Sequence, residues 1–403
     1  MKPIVLEEAK NTKARWLTPS VVGFGLASFL SDMGHEAATA ALPALLVLLG
    51  SPPAALGIIE GVSDGLSSFA KLAGGFWADR PSARKPIAVA GYLATGVTTA
   101  AYGAATAWWH LLASRGAGWF ARGARGPARD AMLSDAVPRE ALGRAFGLHR
   151  AADTAGAIVG PAAAAALLTV VPLRHVFLYA TIPGVLAGVA FLALVRPQRE
   201  TPRPALRFWH SVRALPRPYR RFLVAVFLFG LGDFARSLLI LRATELLTPG
   251  AGPVKAAATA MSLYVLHNVI YAAASYPVGL LADRRSPRAL LAIGYGVGTA
   301  TAVLAAVATP APGMLIALFL AAGLTLAFED TLEGTIAALD VPQDVRGTGY
   351  GVLAAVNGAG DLLSSSLVGV LWSVAGAAAA FWTAATLCLA GTIALVAATR
   401  SGR

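Results

Sequence analysis

The chain has 403 residues, 56% of them hydrophobic and only 13% charged, with a mean hydropathy of +0.64. Soluble domains carry about a quarter charged residues, so this composition excludes one. The net charge of +12 would suit a nucleic-acid binder in a soluble protein, but here the basic residues fall mostly between apolar segments, where they act as topology signals beside anionic lipid. A single cysteine, Cys388, excludes an intramolecular disulfide and a multi-cysteine metal site.

A bilayer core needs about twenty apolar residues per helix. Residues 1–16 are polar and precede a long first span, which predicts a cytoplasmic tail and no cleaved signal peptide. Predicted spans then follow at 17–49, 53–78, 86–107, 109–135, 145–171 and 175–195, and again at 221–244, 256–281, 289–309, 312–338, 348–374 and 378–398. The first is long enough to tilt, or to break around Ser31-Asp32-Met33-Gly34. The predicted organisation is a six-helix half over 17–195, a basic linker over 196–220, a second half over 221–398 and a short tail over 399–403. Arg80, Arg84, Lys85, Arg139, Arg144 and the Arg/Pro-rich linker lie on alternate loops, whereas the loops at 50–54, 105–108 and 308–313 are bare, with Arg174 and Lys255 as exceptions. Positive-inside logic places both termini and the linker in the cytoplasm, as an even number of spans requires.

The halves repeat at one offset. Gly75, Asp79 and Arg80 between the second and third spans recur as Gly279, Asp283 and Arg284, each 204 positions later. Pro138 and Pro342, Gly143 and Gly347, Gly147 and Gly351, and Gly156 and Gly360 keep that spacing. Duplicated six-helix halves about an axis along the membrane normal are a transporter architecture, with the substrate site between them near the midplane.

Gly75, Asp79, Arg80, Arg84 and Lys85 resemble the signature loop of the major facilitator superfamily, and Gly279, Asp283, Arg284 and Arg288 stand where that family has its second copy. Ser82 replaces the family's usual Gly. The resemblance implies an all-α membrane protein of about twelve transmembrane helices in two pseudo-symmetric six-helix bundles, a monomer in a plasma membrane of the bacterial inner-membrane type, moving a small solute by alternating access. Independently, a carboxylate and arginines at adjoining helix ends can form a gating latch. In the fifth span Gly147, Gly156, Gly160 and Pro161 resemble the motif of the superfamily's proton-coupled antiporters, with Ala164 and Ala165 where paired glycines usually stand. Proton-coupled efflux is what this implies; close helix packing and a proline bend are the plainer reading of the same residues.

Ionisable residues within a membrane are expensive and face the interior. Asp32, His35 and Glu36 share a face of the first span, and Glu60, Asp64 and Lys71 one of the second. Arg115, Arg122 and Arg129, with Arg125 near them, line the fourth; His149, Arg150 and Asp153 lie together on the fifth. At the common offset Asp64 meets Asn268, Asp153 meets Asn357, and Arg125 and Arg129 meet Glu329 and Glu333. Amides thus replace the first half's carboxylates, which predicts proton handling in the first half and counter-charge in the second. Asp233 and Arg236 in the seventh span are candidates to pair with the first-span cluster or with substrate. Asp32, Glu60, Asp64 and Asp153 are the coupling candidates, against permanent ion pairs with Arg115, Arg122, Arg125 or Arg150 as the alternative. Asp32, His35, His149 and Asp153 also offer N and O donors for a divalent metal, so a metal or metal-chelate exporter is a second reading, and an uptake symporter or uniporter a third.

A membrane enzyme would need a nucleophile–base pair, and Ser364-Ser365-Ser366 has no His or Lys near it in sequence. No Walker-type loop is present, so no cofactor is expected and an ion gradient or the substrate's own must supply the energy. The chain's expected partners are a small solute or ion, protons and lipid.

Overall fold

The computed structural model describes residues 16–78, 81–138, 141–196, 212–213, 215–342 and 346–400, and these are helical with no strand. The first half holds α1 (Pro19–Leu48), α2 (Pro53–Ala78), α3 (Pro81–Ala104), α4 (Trp108–Asp135), α5 (Leu142–Leu168) and α6 (Leu173–Leu194). The second holds α7 (Arg217–Gly230), α8 (Arg236–Ala251), α9 (Pro253–Ala282), α10 (Pro287–Ala306), α11 (Pro312–Asp340), α12 (Arg346–Ala375) and α13 (Ala377–Arg400). Proline opens several of them (Pro19, Pro253, Pro287, Pro312), since the first helical turn has no use for its missing N–H. Thr18 and Ser286 cap α1 and α10 by accepting from Val21 N and Ala289 N.

Among the described residues thirteen helices make twelve crossings because the seventh span is split, and this corrects the expected place of the break. α1 runs unbroken through Ser31–Gly34, where Gly34 lets the Ala180 carbonyl and Gly184 of α6 press against it. The chain breaks instead between α7 and α8, within Leu231–Ala235. Non-helical backbone at membrane depth survives only where its polar groups find partners. Ser364 Oγ donates to the Asp233 carbonyl at 2.6 Å, and Ser365 Oγ accepts from Ala235 N at 3.0 Å. Gly232 at the break faces the Ala384 carbonyl and Cys388 of α13, leaving no room for a side chain. The serine-rich stretch therefore has a backbone-satisfying task. Ser365→Ala should destabilise the protein by about 1–3 kcal/mol, the cost of an orphaned buried N–H, measured as unfolding in detergent.

Eight of the helices are long and apolar enough to cross a membrane by themselves. α1, α2 and α4 are not among them, and they carry Asp32, Glu36, Glu60, Asp64, Lys71 and the four arginines Arg115, Arg122, Arg125 and Arg129. Their polarity is acceptable because it is turned inward: Asp32, Glu60, Arg115 and Arg125 are all buried. The end of the bundle that carries the arginine-rich loops is called the basic end below, and the opposite one the bare end. Arg174, an exception at the bare end, donates to the carbonyls of Gly103 and Ala105 at 2.8 and 2.7 Å, capping α3.

The two halves meet chiefly through α2 against α12 and α5 against α9. At the bare end one apolar core runs across both: Leu42, Leu45, Leu56 and Ile59 pack with Leu239, Ile240, Met261, Val368 and Phe381. Towards the basic end the cores separate. Phe24, Tyr92, Met132 and Phe191 form one, and Tyr219, Phe222, Phe229, Tyr295 and Ile336 the other. The molecule is sealed at the bare end and divided at the basic end, with the charged residues between.

Candidate functional site

The first half's acids lie against the arginines of α4. Both Nη atoms of Arg122 donate to Asp32, at 2.8 and 3.2 Å. Arg115 gives its Nε and Nη2 to Glu60 Oε2 at 3.0 and 2.6 Å, donates to Thr39 Oγ1, and lies 3.8 Å over the Trp119 ring. The Trp119 indole donates to Asp64 Oδ1 at 2.8 Å, and His35 packs on the same ring. Arg125 donates to Ser31 Oγ at 2.9 Å and stacks on Tyr92, with no acid in ion-pair range among the described residues. Arg129 reaches Asp130 at 2.9 Å and Ser28, which also meets His149. On α5, Arg150 is exposed and approaches Asp153 at 4.0 Å.

The second half is built differently. At the helix break Arg236 holds Asp233 with two hydrogen bonds, 2.7 and 3.3 Å, and stands 3.8 Å from Glu329. Glu333 is buried and, among the described residues, held only by neutral donors, the Tyr295 hydroxyl at 2.6 Å and the Asn357 amide at 2.7 Å. The Tyr271 hydroxyl donates to Asp330 at 2.7 Å. Two of these contacts are related by the internal repeat. The Arg125–Ser31 bond joins α4 to α1, and the Arg236–Glu329 pair joins α8 to α11, with the arginine moved to the opposite helix.

Two hydrogen bonds tie the halves near the middle. Tyr264 OH on α9 donates to Glu36 Oε2 at 2.9 Å, and Asn268 donates to the Ala157 carbonyl of α5 at 2.7 Å. A crevice of about 780 Å³ between α5 and α9, lined by Thr169, Lys255 and Ser262, opens at the bare end away from these charges.

Of the predicted gating loops, Asp79 and Arg80 lie outside the described residues, and Gly75 lies in the last turn of α2. In the second copy Asp283 follows Gly279 at the end of α9, and both Asp283 and Arg284 are exposed. A cross-helix ion pair forms one step further along each loop. Arg84 donates to Asp135 at 2.9 Å, joining α3 to α4, and Arg288 pairs with Asp340, joining α10 to α11. In the fifth-span motif, Gly156 and Gly160 bring α5 onto the backbone of α1 at Phe29 and Met33, Pro161 lies within the helix, and Gly147 faces open space. The candidate metal donors are not gathered: Asp32 is on Arg122, His35 beside Glu36 and Trp119, and His149 on Ser28. No group of three or more metal-ligating side chains occurs among the described residues.

The family model for the Major Facilitator Superfamily matches residues 24–249 and 251–402. The chain belongs to the major facilitator superfamily. It is 28% identical over 371 residues to an uncharacterised MFS-type transporter of Methanocaldococcus jannaschii, covering 91% of this chain and 92% of that one. It is 29% identical over 375 residues to an uncharacterised protein of Mycobacterium tuberculosis, covering 88% and 87%. Among solved structures it is similar in fold to a bacterial homologue of the human lysosomal transporter Spinster, inward-facing and occupied, with a TM-score of 0.77 at 15% identity over 94% of this chain and 96% of that one. A variant of the nucleoside transporter NupG gives a TM-score of 0.80 at 13% identity, over 94% and 99%. This superfamily member is thus a multi-pass membrane transporter and not an enzyme.

The site brings together most of the sequence candidates and adds others. Tyr264, Tyr271, Tyr295, Trp119, Asp330 and Asp361 were not singled out from sequence. Asp361 had a signal, since it stands four residues from Asn357 on the same face of α12. The tyrosines had none, because a phenol in an apolar helix looks like core.

Proposed function

We propose that this transporter exports a small solute in exchange for protons, and that Glu333, with Glu329 beside it, carries the exchanged proton. The observation that carries this reading is the pair of neutral partners on Glu333. A carboxylate held by a phenol and an amide can gain or lose a proton without stripping an arginine of its counter-ion. Asp32 and Glu60 lack that freedom, since protonating either would leave Arg122 or Arg115 uncompensated. Proton handling thus moves from the first half, where sequence placed it, to the second. Asp32 and Glu60 become the fixed framework around the solute path, with Asn268 and Asn357 as its neutral hydrogen-bonding counterparts, while Asp64, held by the neutral Trp119 indole through one bond rather than two, is the first half's secondary proton candidate.

Export follows from the likeness of the fifth span to that of the antiporters. The arginine-rich loops assign the basic end to the cytoplasm of a plasma membrane, with both termini there, and the protein works as a monomer. On that assignment the structure is closed to the outside. The Arg84–Asp135 and Arg288–Asp340 pairs then brace each bundle at its cytoplasmic end.

Reconstituted vesicles with an imposed pH gradient, screened against drugs, metals and small metabolites, test the reading. With the solute so found, Glu333→Gln should abolish gradient-driven accumulation while sparing solute-for-solute exchange. A Glu333→Gln transporter that still follows the pH gradient as the parent does would overturn the assignment.

A further inference from the structure

The two flanks where the halves meet are not alike. On one, α2 and α12 form a closed seam from the bare end inward: Ala54 N donates to Ser373 Oγ at 2.8 Å, Gly57 lies on Gly369, Gly61 on the Leu362 carbonyl, and Ser68 on Gly358. On the other, α5 and α9 part at the same end and leave the crevice of about 780 Å³. One wall is Ala162, Ala165 and Ala166 of α5, whose small side chains keep the groove deep, and the other is α9 from Pro253 to Val265. Of the eight helices able to cross a membrane by themselves, α9 is the least buried, at 17% against 33–50% for the rest. Its outer side therefore borders lipid, and Ala162, Ala166 and Ser262 are exposed where the crevice meets the bilayer.

Lys255 stands at the mouth. It is one of the two cations that break the charge pattern of the loops, and the other, Arg174, is accounted for by the carbonyls it caps. Lys255 is exposed and has no hydrogen bond or ion pair among the described residues. It is the one charged residue in the crevice lining among them, so no acid faces it there. A lysine in the first turn of a helix has the wrong sign for that helix end, so an anion there relieves the turn and the ammonium together. One turn below, the Thr259 hydroxyl is also without a partner among the described residues, whereas Thr169 and Ser262 donate theirs to the Ala166 and Ala258 carbonyls at 2.7 and 2.9 Å. Val265, at the foot, lies ten positions past Lys255, about 15 Å of helix, which is about the depth of one hydrocarbon leaflet. A cation at the head, a trough one leaflet deep and lipid alongside match one ligand. We propose that the crevice holds an anionic phospholipid from the leaflet at the bare end, its phosphate on Lys255 and Thr259 and one acyl chain between α5 and α9. The site goes beyond the proton-exchange reading and does not depend on it. Since its walls belong to both halves, the lipid is a component of their joint on the flank that protein alone leaves open.

The test is native mass spectrometry of delipidated protein in detergent, titrated with dioleoyl phosphatidylglycerol or with dioleoyl phosphatidylcholine, which has the same chains and no net charge. The parent should bind one phosphatidylglycerol about fivefold more tightly than phosphatidylcholine, the worth of one lysine beside an anionic headgroup. Lys255→Gln should lose that preference and Lys255→Arg should keep it. Ser262→Trp, which fills the trough from a lipid-exposed position, should weaken both lipids. Equal affinities in the parent overturn the proposal, as does a Lys255→Gln protein with the parent's preference or a Ser262→Trp protein that binds as the parent does. Glycerol 3-phosphate at millimolar concentration should not displace the lipid; displacement would mean a site for free phosphate and overturn the acyl-chain assignment. A phosphatidylglycerol with a diazirine near the end of one chain locates the site. Cross-links should gather on residues 162–169 and 258–265, and labelling spread evenly round the bundle would mean annular lipid only and overturn the site.

Discussion

Gly57→Leu is expected to abolish net transport and to part the bare end of the molecule. Gly57 on α2 and Gly369 on α12 meet backbone to backbone, and a Cβ at position 57 would run into the Ser365 carbonyl and Gly369. Neither neighbour is a flexible side-chain tip, so the helices themselves must move. Overpacking a tight contact costs about 1–3 kcal/mol. Charged to the closed-end conformer alone, that shifts the two-state balance by about 5- to 150-fold. Cys388 is the chain's one cysteine, so a Cys388→Ser background carrying Ala55→Cys supplies the readout. Ala55 is buried in the shared bare-end core. Its thiol should react slowly with a water-soluble maleimide in the parent and much faster with Gly57→Leu added. Equal rates would show that the seam does not form the closure.

Glu60→Gln should be the most destabilising conservative substitution in the bundle. Arg115 and Glu60 have side chains only 1% and 3% exposed, and the amide would leave the buried guanidinium without its counter-charge. Breaking a buried pair on one side costs about 3–5 kcal/mol, whereas replacing both members by apolar residues is often neutral. Glu60→Gln should therefore lower the midpoint of unfolding in detergent sharply, and Glu60→Met combined with Arg115→Met should recover most of the loss. Recovery depends on the double variant refilling the space over Trp119 that Arg115 occupies. A Glu60→Gln protein as stable as the parent would show that the pair contributes little.

The fold was legible because a bilayer imposes a coarse ruler. Span lengths, loop charges and a fixed offset of 204 between Asp79 and Asp283 need no knowledge of packing. Helix faces were legible too, since spacing alone puts Asp32 with Glu36 and Glu60 with Asp64. Partners across helices were not, because a face says which way a side chain points and not what stands opposite. Glu60 could have met any arginine of α4 until the rotation of both helices was fixed. The helix break was misplaced for a related reason. Gly230, Gly232 and Asp233 mark it plainly, yet the anchors that make it tolerable, Ser364 and Ser365, lie some 130 positions away. The Arg125–Ser31 and Arg236–Glu329 correspondence was hidden by a slip of one residue, since Ser31 and Arg236 are 205 positions apart.

The glycine seam has a mechanical implication. Where two helices meet through interdigitated side chains, sliding or parting requires rotamers to hop out of their wells together. Gly57, Gly61, Gly358 and Gly369 put no such teeth between α2 and α12 over much of their contact. The joint therefore works as a smooth bearing with no preferred notch. Its resistance comes from wetting the freed carbonyls and losing dispersion contacts, so the speed of opening should track hydration of the cleft more than the repacking of any side chain.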